Sequence, residues 1–422
     1  MGKRRFHDPS AWLAVFTAAV LLAPLVVTSP ALAESADTDW PQFRGHHRDG
    51  ISQETGLLAE WPADGPKELW RHSLGEGYSA ISVVGDHLFT MYATETDDGH
   101  REFAAAFDAK TGKELWRVEM GEKLDTQFGN GPRSTPTVDG DTVFVLGSHG
   151  TLKALAKADG KEKWSVSFVD DFGSERPYWG FSTSGVVDGD HLIIEVGAQG
   201  GKSYAAFHKA TGETAWTSGE ARGAGYNSAL PVELHGQSQF VYVAGGVLRS
   251  IDGAGEELWS HPWPPGETHA MPIFIAPDMI YASGAEGVGA TVVKVTKGDD
   301  GFSAEEVWKS NLMKNHFSSS VLHDGHLYGF DNATLKCVEA ATGEQKWAKR
   351  GLGKGSLILA DGHLLVLSDR GKLVLVEANS DAYTQKGSVQ ALGGRTWTAP
   401  TLSNGKLYLR SHDEIVAYDL KG

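Results

Sequence analysis

Short runs of alternating apolar and polar residues, each broken by a glycine turn, recur along nearly the whole chain. One unit ends in Ala106-Phe-Asp108-Ala-Lys-Thr111-Gly112-Lys-Glu-Leu-Trp116, where apolar alternation leads into Thr-Gly and then into a second short run. Alternation with a period of two is typical of strands, and the Thr-Gly glycine tolerates the positive φ of a tight turn. The pattern therefore predicts strand, turn and strand.

Copies of this unit occupy residues 154–164, 206–216 and 337–347, and a copy one residue shorter occupies residues 250–259. Each copy is accompanied by a further alternating run with its own turn, most often Asp-Gly, so that one unit comprises four short strands. A repeat of about 40–50 residues with four strands is typical of a β-propeller blade and not of a helical solenoid.

The unit ends are marked by tryptophans that we expect to pack between neighbouring blades: Trp70, Trp116, Trp164, Trp216, Trp259, Trp308 and Trp347. A weaker slot near Gln385, which lacks tryptophan, brings the count to eight units. The predicted fold is therefore an all-β, eight-bladed propeller with four-stranded antiparallel blades.

The two ends of the chain each supply part of one blade. Residues 66–73 form a tryptophan-bearing last strand with no partner before it, whereas residues 397–420 supply inner strands with no such strand after them. Pairing the N-terminal and C-terminal strands would close the ring and remove its free sheet edges.

The chain divides into three segments. Residues 1–33 combine Lys3-Arg4-Arg5, an apolar stretch and Ala31-Leu-Ala33, the pattern of a secretory signal peptide cleaved after Ala33. Retention of this stretch as a membrane anchor is the alternative. Residues 34–65 form an N-terminal extension, and residues 66–422 form a single propeller domain. We expect an exported protein, periplasmic or extracellular, without an integral membrane domain once the signal is removed.

The net charge limits the classes of binding partner, and the single cysteine limits the covalent chemistry of the chain. The formal net charge of −16 disfavours nucleic acid and anionic membranes, and Cys337 is the only cysteine, so no internal disulfide can form. Cys337 stands where other copies carry alanine, which indicates a buried apolar residue and not a nucleophile.

The Ala-x-Asp-x-x-Thr-Gly-x-x-x-Trp unit resembles the tryptophan-docking motif of the pyrroloquinoline-quinone-like (PQQ-like) β-propeller repeat family, over about residues 40–420. Residues 40–50, 131–136 and 313–316 are similar to segments of a bacterial exported subgroup, which is distantly similar to the propeller lipoprotein of the outer-membrane β-barrel assembly machinery. Some relatives are quinoprotein alcohol dehydrogenases, and that resemblance would imply PQQ held with calcium. Their adjacent cysteine pair cannot exist here, and no acidic cluster maps onto a calcium site.

Residues just before each first strand converge on one mouth of a propeller channel. Those positions are rich in cationic and aromatic residues: Tyr78, Arg133, Trp179, Asn227, His269, Lys314, Asn315, His316, Lys354, Arg395 and Trp397. They would suit an anionic ligand, a glycan or a peptide, or they could merely fill and solvate the mouth. His316 is the one candidate proton acceptor, although no partner at a telling spacing identifies a nucleophile.

Two functions follow from these observations. The favoured one is a non-catalytic, monomeric binding or scaffold module of the cell envelope that needs no cofactor or metal and binds a protein, peptide or glycan. The alternative is a PQQ-dependent alcohol dehydrogenase. The fold alone does not decide between them.

Overall fold

Glycine turns divide the chain into short strands throughout the computed structural model, which describes residues 38–220 and 223–421. The strands assemble into eight sheets of four antiparallel strands, and blade 7 carries an additional parallel strand. The prediction of an all-β, eight-bladed propeller is therefore confirmed. The predicted signal peptide, residues 1–33, lies outside the described residues, as do the first residues of the N-terminal extension.

Two strands, β1 (Ile51–Ser52) and β2 (Lys67–Ser73), precede the first complete blade. Blades 1 to 4 follow in chain order: β3 (Ser82–Val84), β4 (His87–Thr96), β5 (Gly99–Asp108) and β6 (Glu114–Glu122); β7 (Thr137–Asp139), β8 (Thr142–Leu146), β9 (Thr151–Ala156) and β10 (Glu162–Ser167); β11 (Val186–Asp188), β12 (His191–Ala198), β13 (Lys202–His208) and β14 (Thr214–Ser218); β15 (Leu230–Leu234), β16 (Gln237–Ala244), β17 (Val247–Ile251) and β18 (Glu257–Pro262). A five-residue helix, α1 (Phe168–Phe172), follows β10.

Blades 5 to 8 complete the ring: β19 (Ile273–Ile275), β20 (Met279–Ser283), β21 (Ala290–Gly298) and β22 (Gly301–Ser310); β23 (Val321–His323), β24 (His326–Asp331), β25 (Thr334–Glu339) and β26 (Gln345–Lys349); β27 (Gly355–Ala360), β28 (His363–Ser368), β29 (Lys372–Glu377) and β30 (Gln385–Gln390); β31 (Thr401–Ser403), β32 (Lys406–Arg410) and β33 (Glu414–Asp419). The first strands of neighbouring blades contact one another around the central channel, as β3 does with β7 and β31.

Ring closure is provided by β2, which pairs antiparallel with β33 and completes blade 8. Trp70 on β2 lies opposite Ala417 on β33, the same register that places Trp116 opposite Ala106 in blade 1. The predicted joining of the N-terminal and C-terminal strands is therefore confirmed.

Indole N–H groups cross the interfaces between blades. In six of the seven tryptophans named above, Nε1 donates a hydrogen bond to a backbone carbonyl of the next blade, as Trp116 does to Lys157 (3.0 Å) and Trp164 to Lys209 (2.9 Å). Trp259 instead donates to Gln239 of its own blade (2.8 Å). Six of the eight interfaces thus combine a large apolar contact with a directional bond.

The glycine of the Thr-Gly turn belongs to the same contact. Gly160 has φ of 74°, and a Cβ there would lie 2.7 Å from the Trp116 ring of the preceding blade. Gly212 faces Trp164 in the same way, with a Cβ at 2.7 Å from that ring. Glycine is needed both for the turn and for the close approach of the indole, which explains why glycine and tryptophan recur together.

The hydrophobic core lies between the blades. One cluster joins Phe89, Met91 and Trp116 of blade 1 to Val143 and Leu155 of blade 2, and similar clusters fill the other interfaces. Cys337 is fully buried in the cluster between blades 6 and 7, and burial raises the pKa of its thiol to about 11, so it is an apolar core residue.

The N-terminal segment, residues 38–65, packs on the propeller, and part of it crosses the channel. The carbonyl of Pro41 accepts the N–H of Val138 in blade 2, whereas the Arg44 guanidinium donates to the carbonyl of Ser320, next to β23 in blade 6. The β1 strand that follows pairs parallel with β27 of blade 7. Because blades 2 and 6 are opposite in an eight-bladed ring, this segment lies across the channel axis.

Candidate functional site: the channel mouth

A cavity of about 300 Å³ occupies the end of the channel from which the first strands start. Its wall is formed by residues that precede these strands in successive blades, including Tyr78, Trp179 and Trp397. Phe43 and Arg44 of the crossing N-terminal segment also line it. The channel therefore ends in a cup that is open at one mouth and closed beneath by the chain's own N-terminal segment.

An aromatic collar surrounds this mouth. Neighbouring rings contact one another with centroid separations of 5.1–6.2 Å, and the contacts run from blade to blade: Phe128, Trp179, Tyr226, His269, His316, Phe317, Trp397 and Tyr78. Arg395 closes the circle, since its Nη1 donates to the carbonyl of Phe128 (2.8 Å) while its guanidinium lies 4.8 Å from the Trp397 ring. The collar lines the cup with aromatic rings.

The outer rim of the collar is exposed. Tyr178 is 62% exposed and Phe128 is 48% exposed, although large apolar side chains elsewhere in the described chain are mostly buried. Both rings contact Trp179, so they form one aromatic surface (Phe128, Tyr178 and Trp179) beside the mouth. Exposed aromatic clusters of this kind are common at binding surfaces.

Two histidines occupy one side of the collar. Burial lowers the pKa of His269 to about 4, with a further contribution from His316, and its Nδ1 lies 3.2 Å from the His316 carbonyl. Burial and the neighbouring Lys354 ammonium also lower the pKa of His316, whose Nδ1 lies 3.5 Å from Lys354 Nζ. Both imidazoles are therefore neutral at pH 7.

Buried arginines lie beneath and beside the mouth. Arg44 and Arg48 of the N-terminal segment and Arg410 of β32 are at most 3% exposed, and their guanidinium groups donate chiefly to backbone carbonyls. Burial lowers their pKa values, to about 10 for Arg44 and about 9 for the other two. Arg133, whose pKa burial also lowers, lies over Tyr78 at 5.4 Å and donates to the carbonyls of Gly129 and Gly131.

Serine hydroxyls connect the first strands beneath the collar. Ser184 Oγ accepts the Thr135 N–H (3.0 Å), Ser228 Oγ accepts the Ser184 N–H (2.8 Å), and Ser319 Oγ accepts the Met271 N–H (3.0 Å). These three hydroxyls line the cup. Each hydroxyl accepts one backbone N–H and can still donate its proton to an occupant of the cup.

The structure brings six of the predicted site residues together in the lining of the cup: Tyr78, Arg133, Trp179, His269, His316 and Trp397. Lys354 and Arg395 lie immediately beside it, against His316 and Trp397. Whether any of them binds a ligand stays a prediction.

The three remaining predicted residues neither line the cup nor contact its lining in the same way as Lys354 and Arg395. The Asn227 side chain exchanges hydrogen bonds with the backbone of Val243, and Asn315 bonds Phe330, Tyr281 and Ser320. Lys314 forms an ion pair with Asp331 (3.4 Å). These contacts hold strands and loops together.

Sequence reasoning missed several lining residues, among them Phe43, Arg44, Phe128, Glu267 and Phe317. Phe317 follows the predicted His316 directly, so the same position before a first strand could have predicted it. Nothing in the repeat pattern indicates that Phe43 and Arg44 enter the channel, because they precede the first repeat.

The donor set of the cup does not fit a calcium-held quinone. Within residues 38–220 and 223–421, no group of three or more His, Cys, Asp or Glu side chains could hold a metal ion. Glu267 is the single carboxylate in the lining, whereas calcium takes 6–8 oxygen ligands.

These features define a class: an eight-bladed β-propeller with tryptophan docking between blades and an aromatic mouth. The family comparison agrees, because a PQQ-like repeat family model, described as outer membrane protein assembly factor BamB, matches residues 100–349 and 331–422. The chain belongs to this family.

Among its relatives, the protein from Burkholderia pseudomallei named outer membrane protein assembly factor BamB is 24% identical over 388 residues, covering 87% of this chain and 91% of its own. BamB from Moraxella catarrhalis superposes with a TM-score of 0.59 at 15% identity, covering 84% of this chain and 97% of that one. Quinohemoprotein alcohol dehydrogenase from Comamonas testosteroni gives 0.64 at 13%, covering 92% and 82%. At such low identities, the similarity of this chain to either structure shows the fold alone.

No helix in the described part of the chain has the length and apolar character that crossing a membrane requires.

Proposed function

We propose that this chain is an exported protein of the bacterial cell envelope that holds a partner at its channel mouth and catalyses no reaction itself. The observation that carries the proposal is the exposed aromatic surface of Phe128, Tyr178 and Trp179 beside a cup lined by rings and cations. Such a surface gives a partner large contact area at low conformational cost.

The comparisons support a scaffold role. The Burkholderia relative aligns over 91% of its length, and its name describes an assembly factor and not an enzyme. A protein or peptide segment is the partner that the mouth suits best, with a glycan as the alternative, because aromatic faces stack on either. The net charge of −16 argues against nucleic acid. We expect the protein to act as a monomer.

Site-specific photo-crosslinking in living cells tests this proposal. A photoreactive phenylalanine analogue at Tyr178 should capture a discrete envelope partner, whereas the same group at Val307 should not. Val307 is a matched control because it is 45% exposed on β22, an outer strand away from the mouth. Equal capture at the two positions, or capture only at Val307, would contradict the proposal.

The Tyr178→Ala and Phe128→Ala variants test how much each exposed ring contributes to the free energy of partner binding. Loss of an exposed aromatic anchor should weaken partner binding by about 1–2 kcal/mol while leaving thermal unfolding nearly unchanged, since truncations at exposed sites cost little stability. Unchanged binding in the double variant would place the partner elsewhere on the propeller.

The alternative function is a PQQ-dependent alcohol dehydrogenase. It is tested because the chain shares its fold with the quinohemoprotein alcohol dehydrogenase from Comamonas testosteroni. The purified protein would be mixed with PQQ and calcium, and bound-quinone absorbance and dye reduction with short alcohols would be measured. Saturable turnover would establish the alternative, and its absence under conditions that activate a known quinoprotein would favour the binding function.

Export is a separate part of the proposal. A cell-envelope fraction should contain a chain whose mass corresponds to cleavage after Ala33, and intact-mass measurement checks this. A chain retaining residues 1–33 would instead indicate an anchored protein.

A further inference from the structure

The polar lining of the cup is rich in hydrogen-bond donors. Ser184, Ser228 and Ser319 each accept a backbone N–H and line the cup, where their hydroxyl protons can still be donated to an occupant. Arg44 and Arg133 line the same cavity, and Glu267 is the single carboxylate in that lining. A site with surplus donors favours an occupant with surplus acceptors.

Arg44 is the most distinctive of these donors. It is 3% exposed, its Nη2 donates to the carbonyls of Ser320 (2.6 Å) and Asp49, and its Nε donates to the carbonyl of Arg48 (3.3 Å). In the described chain its Nη1 has no hydrogen-bond partner, and it forms no ion pair with a carboxylate. Carbonyl groups fix the direction of the guanidinium, and the nearby Asp49 carboxylate offsets its charge only in part, so the charge remains costly to bury.

Other cations near the cup also lack a carboxylate partner among the described residues. Arg133 is held by two glycine carbonyls and by the face of Tyr78, and Lys354 contacts His316. By contrast, Arg71, Lys123 and many other cations of this acidic chain form ion pairs at the surface. The positive charge at the mouth is therefore not closed into ion pairs, and Asp49 near Arg44 and Glu102 near Arg133 offset only part of it.

We propose that the cup binds a small organic oxyanion, a carboxylate or a phosphate ester attached to a flat ring, with the anion against Arg44 and the ring on the aromatic collar. The ring preference follows from the aromatic lining of the cup, where Tyr78, Trp397 and Phe317 stack on one another with centroids 5.1–5.5 Å apart and leave an apolar wall for a flat ring. The cavity of about 300 Å³ is at the small end of the usual range for ligand pockets.

The site also couples the ligand to the N-terminal segment, because Arg44 belongs to that segment while the collar belongs to the blades. An anion that bridges Arg44 to the blades binds the segment only in its seated position across the channel. Ligand binding must therefore stabilise the seated segment by linkage. This inference rests on the proposed function, because the cup opens at the channel mouth where the partner is proposed to bind.

Calorimetric titration of the purified mature protein tests the binding. The probes are benzoate and phenyl phosphate, which separate the two anion sources, with acetate as an anion without a ring and benzamide as a neutral ring. Benzoate or phenyl phosphate should bind at least about ten-fold more tightly than benzamide and acetate, because a charge-assisted hydrogen bond and a stacked ring each contribute.

Variants locate the site. Arg44→Gln should weaken binding of the preferred probe about 10–100-fold, the loss expected for one charge-assisted contact. Arg350→Gln is the matched control, since Arg350 is exposed in the linker after β26, and it should change affinity less than about two-fold. Equal binding of charged and neutral rings, no binding of any probe, or undiminished binding in Arg44→Gln would overturn the inference.

Limited trypsin digestion gives a second readout that does not depend on the folding of a variant. The bond after Arg44 is accessible only when the segment leaves the channel, whereas the bond after the exposed Arg350 is a reference in the same molecule. The preferred probe should slow cleavage after Arg44 relative to cleavage after Arg350, and an unchanged ratio at saturating probe would refute the coupling. If photo-crosslinking at Tyr178 still captured a partner but no probe bound, the oxyanion site would be refuted and the proposed binding function would stand.

Discussion

Trp61 occupies the position of a missing docking tryptophan between blades 7 and 8. Gly387 lies opposite Leu375 next to a β-bulge, which is the register at which Trp116 lies opposite Ala106 in blade 1. A Cβ on Gly387 would lie 2.6 Å from the Cβ of Trp61, so the N-terminal indole packs directly on this glycine. The segment therefore supplies from outside the blade the ring that the blade lacks.

The Trp61→Ala variant should be strongly destabilised. Trp61 is 6% exposed and belongs to the core cluster shared by blades 7 and 8. Burial of a tryptophan removes roughly 150–250 Å² from water, an upper limit of roughly 4–6 kcal/mol, and truncations of buried aromatic residues cost roughly 3–5 kcal/mol. Its Nε1 has no partner in the described chain, so loss of a hydrogen bond adds nothing. We expect a loss of about 3–5 kcal/mol.

Urea unfolding followed by far-ultraviolet circular dichroism measures this loss without relying on tryptophan fluorescence. Leu115→Ala is the control, because Leu115 is 46% exposed on β6 and its truncation should cost less than about 0.5 kcal/mol. A loss below about 1 kcal/mol in Trp61→Ala would refute this prediction, since it would show that the indole of Trp61 does not stabilise the interface between blades 7 and 8.

Two further predictions concern the blade interfaces. Gly160→Ala should destabilise the protein more than Trp116→Phe, because the alanine would combine a strained positive φ with a clash against the indole. The phenylalanine keeps a ring in the interface and loses one hydrogen bond to Lys157, about 1 kcal/mol, together with part of the buried apolar area. Equal urea midpoints would contradict this. Burial raises the pKa of Glu195 to about 8 from its ordinary value of 4.5, so the folded chain binds a proton that the unfolded chain releases, and stability should fall between about pH 5 and pH 8. Glu195→Gln should flatten that decline in urea midpoint, and an unchanged slope would show that Glu195 does not titrate in this range.

The fold could be predicted from the sequence because its determinants repeat. Residues in the positions of Gly160 and Trp116 recur in unit after unit, and each pair serves one interface between blades. The exceptions fall where a unit departs from the pattern. The β21–β22 hairpin is long and lacks the Thr-Gly turn, and Trp259, which precedes it, turns to Gln239 in its own blade.

The candidate site could be predicted only in part, because an extended chain directs neighbouring side chains to opposite faces. Tyr226 and His316 line the cup, whereas their neighbours Asn227 and Asn315 face into the blades and bond the backbone there. Membership of a pre-strand segment thus predicts the neighbourhood of a residue but not its direction.

The contribution of the N-terminal segment follows from the ring as a whole and not from any single unit. Pro41 bonds blade 2 while Arg44 bonds blade 6, and these blades face each other across the channel. Trp61 then reaches the interface of blades 7 and 8, where the C-terminal strands are joined to β2. Such contacts exist only when distant blades are in place together, so the segment can seat only on an assembled ring. The floor of the cup, and with it Arg44, therefore depends on blades that lie far apart in the sequence and meet only in the closed ring.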